Sequence, residues 1–382
     1  MEARHSTRRD LPKLALLAAA ALVAQTTASA VALAWTRSRS TEQPVTSHHA
    51  PAAQPQSPAP TDAQDLAANP GHPVQTGPRG DGTLVAPHEQ AADGAKEFRL
   101  RAAPVTWEVE PGKVRNAYAF NGTVPGPTIR VNEGDRVRII VENQLPEGTG
   151  VHWHGMVLPH DQDGVPGITQ KAIEPGQSYT YEWTAVSTGT HWYHSHFTGS
   201  QVGKGLYGSL EVVPLNGDRL VDRDYRLFVG DTDLGFVFNG KSYPATAPFP
   251  ALVGERVRIR ITNAGEQSHP IHLHGQPFDL VAQDGFDLAT PVTMDTLLVS
   301  TAQTFDIVTT ALAPGRWLLH CHIFSHMHKS DEHDMTGLVT LFDVVPSDLP
   351  LPAVPGPAGP RPALPVTPPA LPPPPSSSSS KL

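Results

Sequence analysis

One cysteine among 382 residues excludes an intramolecular disulfide, so Cys321 is a buried structural residue or a metal ligand. Basic residues are scattered and the formal net charge is −9, which removes the electrostatic footprint of a nucleic-acid binder. Between residues 98 and 345 no apolar pattern of helical spacing lasts three turns, which argues against a helical bundle. A single long apolar run is present, from Leu14 to Trp35.

That run follows Arg4, Arg8, Arg9 and Lys13, and Thr7-Arg8-Arg9-Asp10-Leu11-Pro12-Lys13 resembles a twin-arginine export signal. Ala28-Ser29-Ala30 has the form of a cleavage site. Residues 1–35 therefore read as an export signal, the competing reading being an uncleaved membrane anchor ending at Arg37 and Arg39. The expected location is extracytoplasmic, secreted or membrane-tethered. Residues 36–97 are rich in Pro, Ala, Gln, Ser and Thr and read as a disordered linker, with His48, His49, His72 and His88 as solvated side chains. Residues 346–382 form a Pro/Ser-rich disordered tail.

What lies between is rich in short runs of Val, Ile, Thr, Tyr and Trp, cut by Gly, Pro, Asn and Asp, the pattern of β-sandwiches or barrels. It is also a repeat. Val131-Asn132-Glu133-Gly134-Asp135-Arg136-Val137-Arg138-Ile139 matches Ala251-Leu252-Val253-Gly254-Glu255-Arg256-Val257-Arg258-Ile259, each copy continuing to an Asn, Asn143 or Asn263. Phe120-Asn121-Gly122 and Phe238-Asn239-Gly240 open the copies. One copy spans roughly 98–215 and the other roughly 225–345, ordinary domain sizes.

Each copy carries two His-x-His pairs: His152/His154 and His194/His196, then His272/His274 and His320/His322. In a strand both members of such a pair face one side, as convergent ligation requires. Eight imidazoles of this kind suit a cluster of several copper ions. Cys321 falls between His320 and His322 and so faces the opposite side, which lets two metal sites share one three-residue segment. With His269 and His326 it completes a plane of two imidazoles and one thiolate, and with a distant thioether the ligand set of a blue copper. The first copy has Val151 before its pair and Ser195 at the cysteine position, so it builds no such site. His191 falls on the opposite parity to the second pair and reads as a core or ligand-supporting residue.

Through these motifs, together with Asp163-Gly164-Val165-Pro166-Gly167 and Trp192-Tyr193-His194-Ser195-His196, the chain resembles the multicopper oxidases, and in particular their two-domain small laccases. The resemblance covers both copies, about two-thirds of the chain. It implies an all-β fold of two tandem cupredoxin-like Greek-key β-sandwich domains flanked by disordered tails. It implies a type 1 copper on His269, Cys321 and His326, with Met335 as weak axial ligand. A type 2 copper would lie on His152 and His272, and a type 3 pair on His154, His194, His196, His274, His320 and His322. That makes four coppers per chain equivalent: one type 1, one type 2 and two type 3.

The segment Met327 to Asp334 is longer than the family's usual spacing, which keeps Met327 as an alternative axial ligand. His328 and His333 in it read as a solvated loop, or as an extra copper site or substrate entrance. Asp163 stands where the family places an acid near the cluster; the competing reading is a turn residue before Gly164. The implied reaction is one-electron oxidation of phenolic or similar donors coupled to four-electron reduction of O2 to water. A metallo-oxidase acting on Cu(I) or another metal ion is the alternative within the family. A copper nitrite reductase would lack the four pairs and carry its blue site in the first domain, and a copper carrier would need no cluster. The expected assembly is a homotrimer with clusters between subunits, the threefold closure resting on the resemblance.

Overall fold

The computed structural model describes residues 84–328 and 334–346, together with the short strand Val74–Gln75. The export segment, His48, His49, His72, His333 and the tail from 347 lie outside the described residues.

Four sheets make two sandwiches. In the first, Lys96–Glu110 pairs with Lys113–Phe120 and, in parallel, with Arg136–Asn143, which pairs with Ser178–Thr184. Facing it are Gly126–Asn132, Tyr207–Val213, Gly189–Ser195 and Val151–His154, in that order. The second sandwich repeats the scheme. Arg223–Thr232, Arg256–Asn263 and Thr304–Thr310 form the heart of one sheet. Phe249–Leu252, Val339–Val345, Gly315–Cys321, His269–Leu273 and Thr296–Val299 form the other. In both domains the strands bearing the His-x-His pairs are immediate neighbours.

Alternation explains the core. Arg136–Asn143 buries Val137, Ile139 and Val141 on one face and leaves the intervening residues partly exposed. Its counterpart Arg256–Asn263 is buried from Val257 onward on both faces, because its polar face, including Arg258 and Arg260, lies in the contact between the domains. Repeated asparagines hold both copies in the same way. Asn143 bonds the Glu147 and Ile173 carbonyls, and Asn263 those of Gln267 and Val299. Asn121 and Asn239 both sit at positive φ before a glycine at positive φ, the conformation of a tight hairpin turn.

The first domain begins earlier than the expected residue 98. Ala86 and Ala95 are buried, Val85 bridges Thr128, and the His88 ring lies tilted against Phe98 with centroids 5.3 Å apart. Residues 84–97 thus belong to the sandwich rather than to a linker, held by two small apolar side chains too sparse to give a periodic signal.

Between the domains lies an apolar zone including Trp107, Trp192, Tyr207, Phe228 and Val237. Beside it is a buried ion network. Arg226 contacts Glu211 at 2.6 Å, Arg258 contacts Asp218 at 2.7 Å, and Arg260 contacts Asp224 at 3.0 Å. Fully burying an apolar side chain contributes about 1.5–3 kcal/mol. Buried ion pairs roughly break even against apolar substitutes. The apolar zone therefore holds the domains together, and the ion network fixes their register.

Candidate metal centres

Register assembles the sites. His152 lies opposite His194 across one antiparallel ladder, and His272 opposite His320 across the equivalent one. In the first domain the rings of His154, His194 and His196 lie 5.4–5.6 Å from that of His152. In the second, His274, His320 and His322 lie 4.9–5.7 Å from His272. Each domain thus presents a quartet of imidazoles.

Four of these rings are oriented by main-chain oxygens. His152 Nδ1 donates to the Asp163 carbonyl at 2.9 Å and His194 Nδ1 to that of Ser195 at 2.9 Å. His272 Nδ1 donates to the Asp295 carbonyl at 2.8 Å and His320 Nδ1 to that of Cys321 at 2.8 Å. A proton fixed on Nδ1 leaves the Nε2 lone pair for an ion. Burial depresses the basicity of three imidazoles, to about 3 for His194 and about 4 for His154 and His320, so these three are neutral donors at neutral pH. His194 Nε2 is buried with no hydrogen-bond partner, and His274 Nε2 and His320 Nε2 face each other at 3.0 Å. Acceptors gathered without donors suit a cation, and imidazole suits copper.

On the other side of the strand Gly315–Cys321 lies the predicted blue site. Cys321 Sγ is 3.6 Å from His269 Nδ1 and 3.7 Å from His326 Nδ1, and the two nitrogens are 3.3 Å apart. All three side chains are buried. Nε2 of His269 donates to Asp231 at 2.9 Å, which frees Nδ1 toward the sulfur. Asp231 is in turn held by the amides of Glu266 and Gln267. Phe236 stacks on His326 at 4.1 Å. Burial pushes the Cys321 thiol up to about 11, so its thiolate form needs a cation. Met327 is buried and Met335 half-buried, with Met335 bridging His328. His328 stacks on the exposed Phe324.

Asp163 occupies the turn position and lies beside His152. It closes the short turn after His160–Gln162, and its carbonyl and carboxylate both approach His152 Nδ1, the latter at 3.3 Å. A Cβ on Gly164 would lie 1.8 Å from the Val151 carbonyl oxygen, so only glycine lets this turn close against the strand. His191 is buried between Gly155 and Gly285, where a Cβ on either would come within 2.5 Å of its ring. Sequence reasoning missed Asp231 and Asp295. Asp295 bonds His272 through its main-chain oxygen from 23 residues away, against 11 for Asp163 and His152, so spacing offered no parallel.

Each quartet's ring contacts lie within one domain. Among the described residues, no ring contact or metal-sized grouping joins one to the other. The first faces Asn263–Glu266, Thr301 and Ala302 of the second domain instead.

Comparison with known proteins agrees with this geometry. Over 263 residues the chain is 32% identical to copper resistance protein A of Pseudomonas syringae pv. tomato, covering 52% of this chain and 43% of that protein. It is 33% identical over 279 residues to laccase-2 of Botryotinia fuckeliana, covering 60% and 46% respectively. The chain thus spans less than half the length of these curated relatives. A blue copper oxidase from Nitrosomonas europaea superposes with a TM-score of 0.61 at 32% identity, covering 65% of this chain and 85% of that one. Models of multicopper oxidase domains match residues 101–216 and 221–347, and the chain belongs to the multicopper oxidase family.

Proposed function

We propose a laccase-like oxidase that takes single electrons from phenolic or similar donors and returns them to O2. The observation that carries this reading is the strand ending at Cys321, which serves the buried thiol site on one face and an imidazole quartet on the other. Bound copper supplies the one-electron chemistry at the first site and O2 reduction at the second. The chain's own part is to hold and orient. His269, Cys321 and His326 would hold a type 1 ion, and the Met335 thioether, in its Met-Thr-Gly-Leu context, would be a further weak donor in preference to Met327. His152 and His272 would share the type 2 ion, and the remaining six histidines the type 3 pair. The Asp163 carboxyl, beside His152, would carry protons toward this centre.

A cluster drawing on both quartets would be completed by two subunits, a reading supported by each quartet's ring contacts lying within its own domain. A head-to-tail homotrimer satisfies this, each first domain meeting the second domain of the next subunit. The twin-arginine stretch supports export before use.

The test is oxygen uptake by the copper-loaded protein with a phenol or with Cu(I). Phenol-driven uptake is expected, and uptake with Cu(I) alone would overturn the donor class. Mixing a His152→Ala/His154→Ala variant with a His272→Ala/His274→Ala variant should restore part of the activity. A fully active monomer would sink the shared cluster. In the same kinetics Asp163→Asn should slow reoxidation by O2 more than reduction of the blue site.

A further inference from the structure

The hairpin made by Arg223–Thr232 and Gly235–Phe238 reaches both imidazoles of the blue site. Its two-residue turn fixes the register, which places Asp231 directly opposite Phe236. Side chains opposite one another in an antiparallel pair share a face and start about 5 Å apart. Asp231 accepts from His269 Nε2 at 2.9 Å, both side chains being fully buried. Phe236 stacks on His326 with ring centroids 4.1 Å apart and planes 22° apart. The two imidazoles so engaged are 5.1 Å apart, so one cross-strand pair spans both. His326 leans on its stack: it ends the single turn Phe324–His326, and among the described residues no hydrogen bond engages its Nε2.

The first domain supplies a contrast. Its hairpin Lys96–Glu110 and Lys113–Phe120 ends in the repeated Phe-Asn-Gly, as the second-domain hairpin does. Two residues before that phenylalanine, Tyr118 faces Pro104 where the second domain has Phe236 facing Asp231. The acid and its phenylalanine occur in the copy with Cys321 and not in the copy with Ser195.

Resting on the type 1 copper reading, we propose that Asp231 and Phe236 act as one clamp that aims both imidazoles before metal arrives, with Phe236 the positioning residue for His326. A side chain already held in its bound orientation gives up little freedom on taking the ion, so the clamp favours binding.

Copper titrated into the full-length apoprotein, followed by blue absorption and electron paramagnetic resonance, tests this. Phe236→Ala should need about tenfold more copper to reach half its blue absorption, the loss expected when an outer-shell partner is removed. The resonance of its bound ion should also differ from that of the wild type. Phe236→Tyr keeps the flat face and should match the wild type. Phe236→Leu keeps apolar bulk without the face and should match the alanine variant, so it decides the matter if Phe236→Ala fails to fold. In crystals of the leucine variant without metal, the His326 ring should turn away while His269 keeps its bond to Asp231. A leucine variant with the wild-type titration and resonance overturns the proposal alone, as does one whose His326 stays in place. A tyrosine variant as defective as the leucine one overturns it too. A wild-type protein that takes up copper without blue absorption sinks the type 1 reading, and the clamp with it.

Discussion

The two domains place different chemistry at one and the same position of a shared scaffold. Where the second domain gathers His269, Cys321 and His326, the first has Thr149, Ser195 and Gln201, all buried. Ser195 and Thr149 donate to Gln201 Oε1 at 2.6 and 2.8 Å, and Gln201 Nε2 donates to the Gly148 carbonyl at 2.8 Å. That trio satisfies itself. Its counterpart brings two imidazole nitrogens and a sulfur within 3.3–3.7 Å of one another, with the weakly donating thiol proton the one that a bound cation would replace. A buried polar cluster becomes a metal site when its donors and acceptors fail to balance, and a structural knot when they do.

Cys321→Ser makes the second domain chemically more like the first and has the largest expected effect. The intense visible absorption of the copper-loaded protein and its oxidase activity should vanish while circular dichroism is retained. A variant that stays blue would refute the thiolate assignment.

Next in size is Glu211→Gln, which loosens one domain from the other. Burial opposes ionisation of Glu211, but the guanidinium groups of Arg226 and Arg260 outweigh it and hold the carboxyl at about 2, below its ordinary 4.5. Removing the charge leaves two buried guanidinium groups short of a partner, a loss of about 3–5 kcal/mol. A folded pKa below the unfolded one means that stability from Glu211 is complete above pH 4.5 and lost as pH falls through about 2. Chemical denaturation across that range should show a shallower acid loss in the variant than in the wild type.

Gln201→Ala is the smallest perturbation. It strips the acceptor from two buried hydroxyls, at a cost of about 1–3 kcal/mol in denaturant titration, with the blue absorption intact. Loss of the blue absorption in this variant would show that the two trios are not independent.

Much of this comparison was legible in the sequence, because His-x-His in a strand is a side-chain signal with the period of the sheet. His269, Cys321 and His326 lie close enough in sequence to the second-domain pairs to be read from spacing. What escaped notice depends on distance along the chain or on the main chain. Asp231 reaches His269 from 38 residues away. The carbonyls that orient four imidazoles carry no side-chain signature at all. Thr149 and Gln201 look like ordinary polar residues until folding brings them to Ser195. The early start of the first domain was hidden because Ala86 and Ala95 are small and isolated.

The carbonyl acceptors also bear on how freely this sequence can change. A side-chain acceptor disappears with one substitution, whereas the oxygens of Asp163, Ser195, Asp295 and Cys321 survive replacement of the side chains that accompany them. The tautomer of each ring is thus inherited from strand register rather than from neighbouring residue identity. Loops and second-domain edges can diverge, and donor preference with them, while the imidazoles keep their aim.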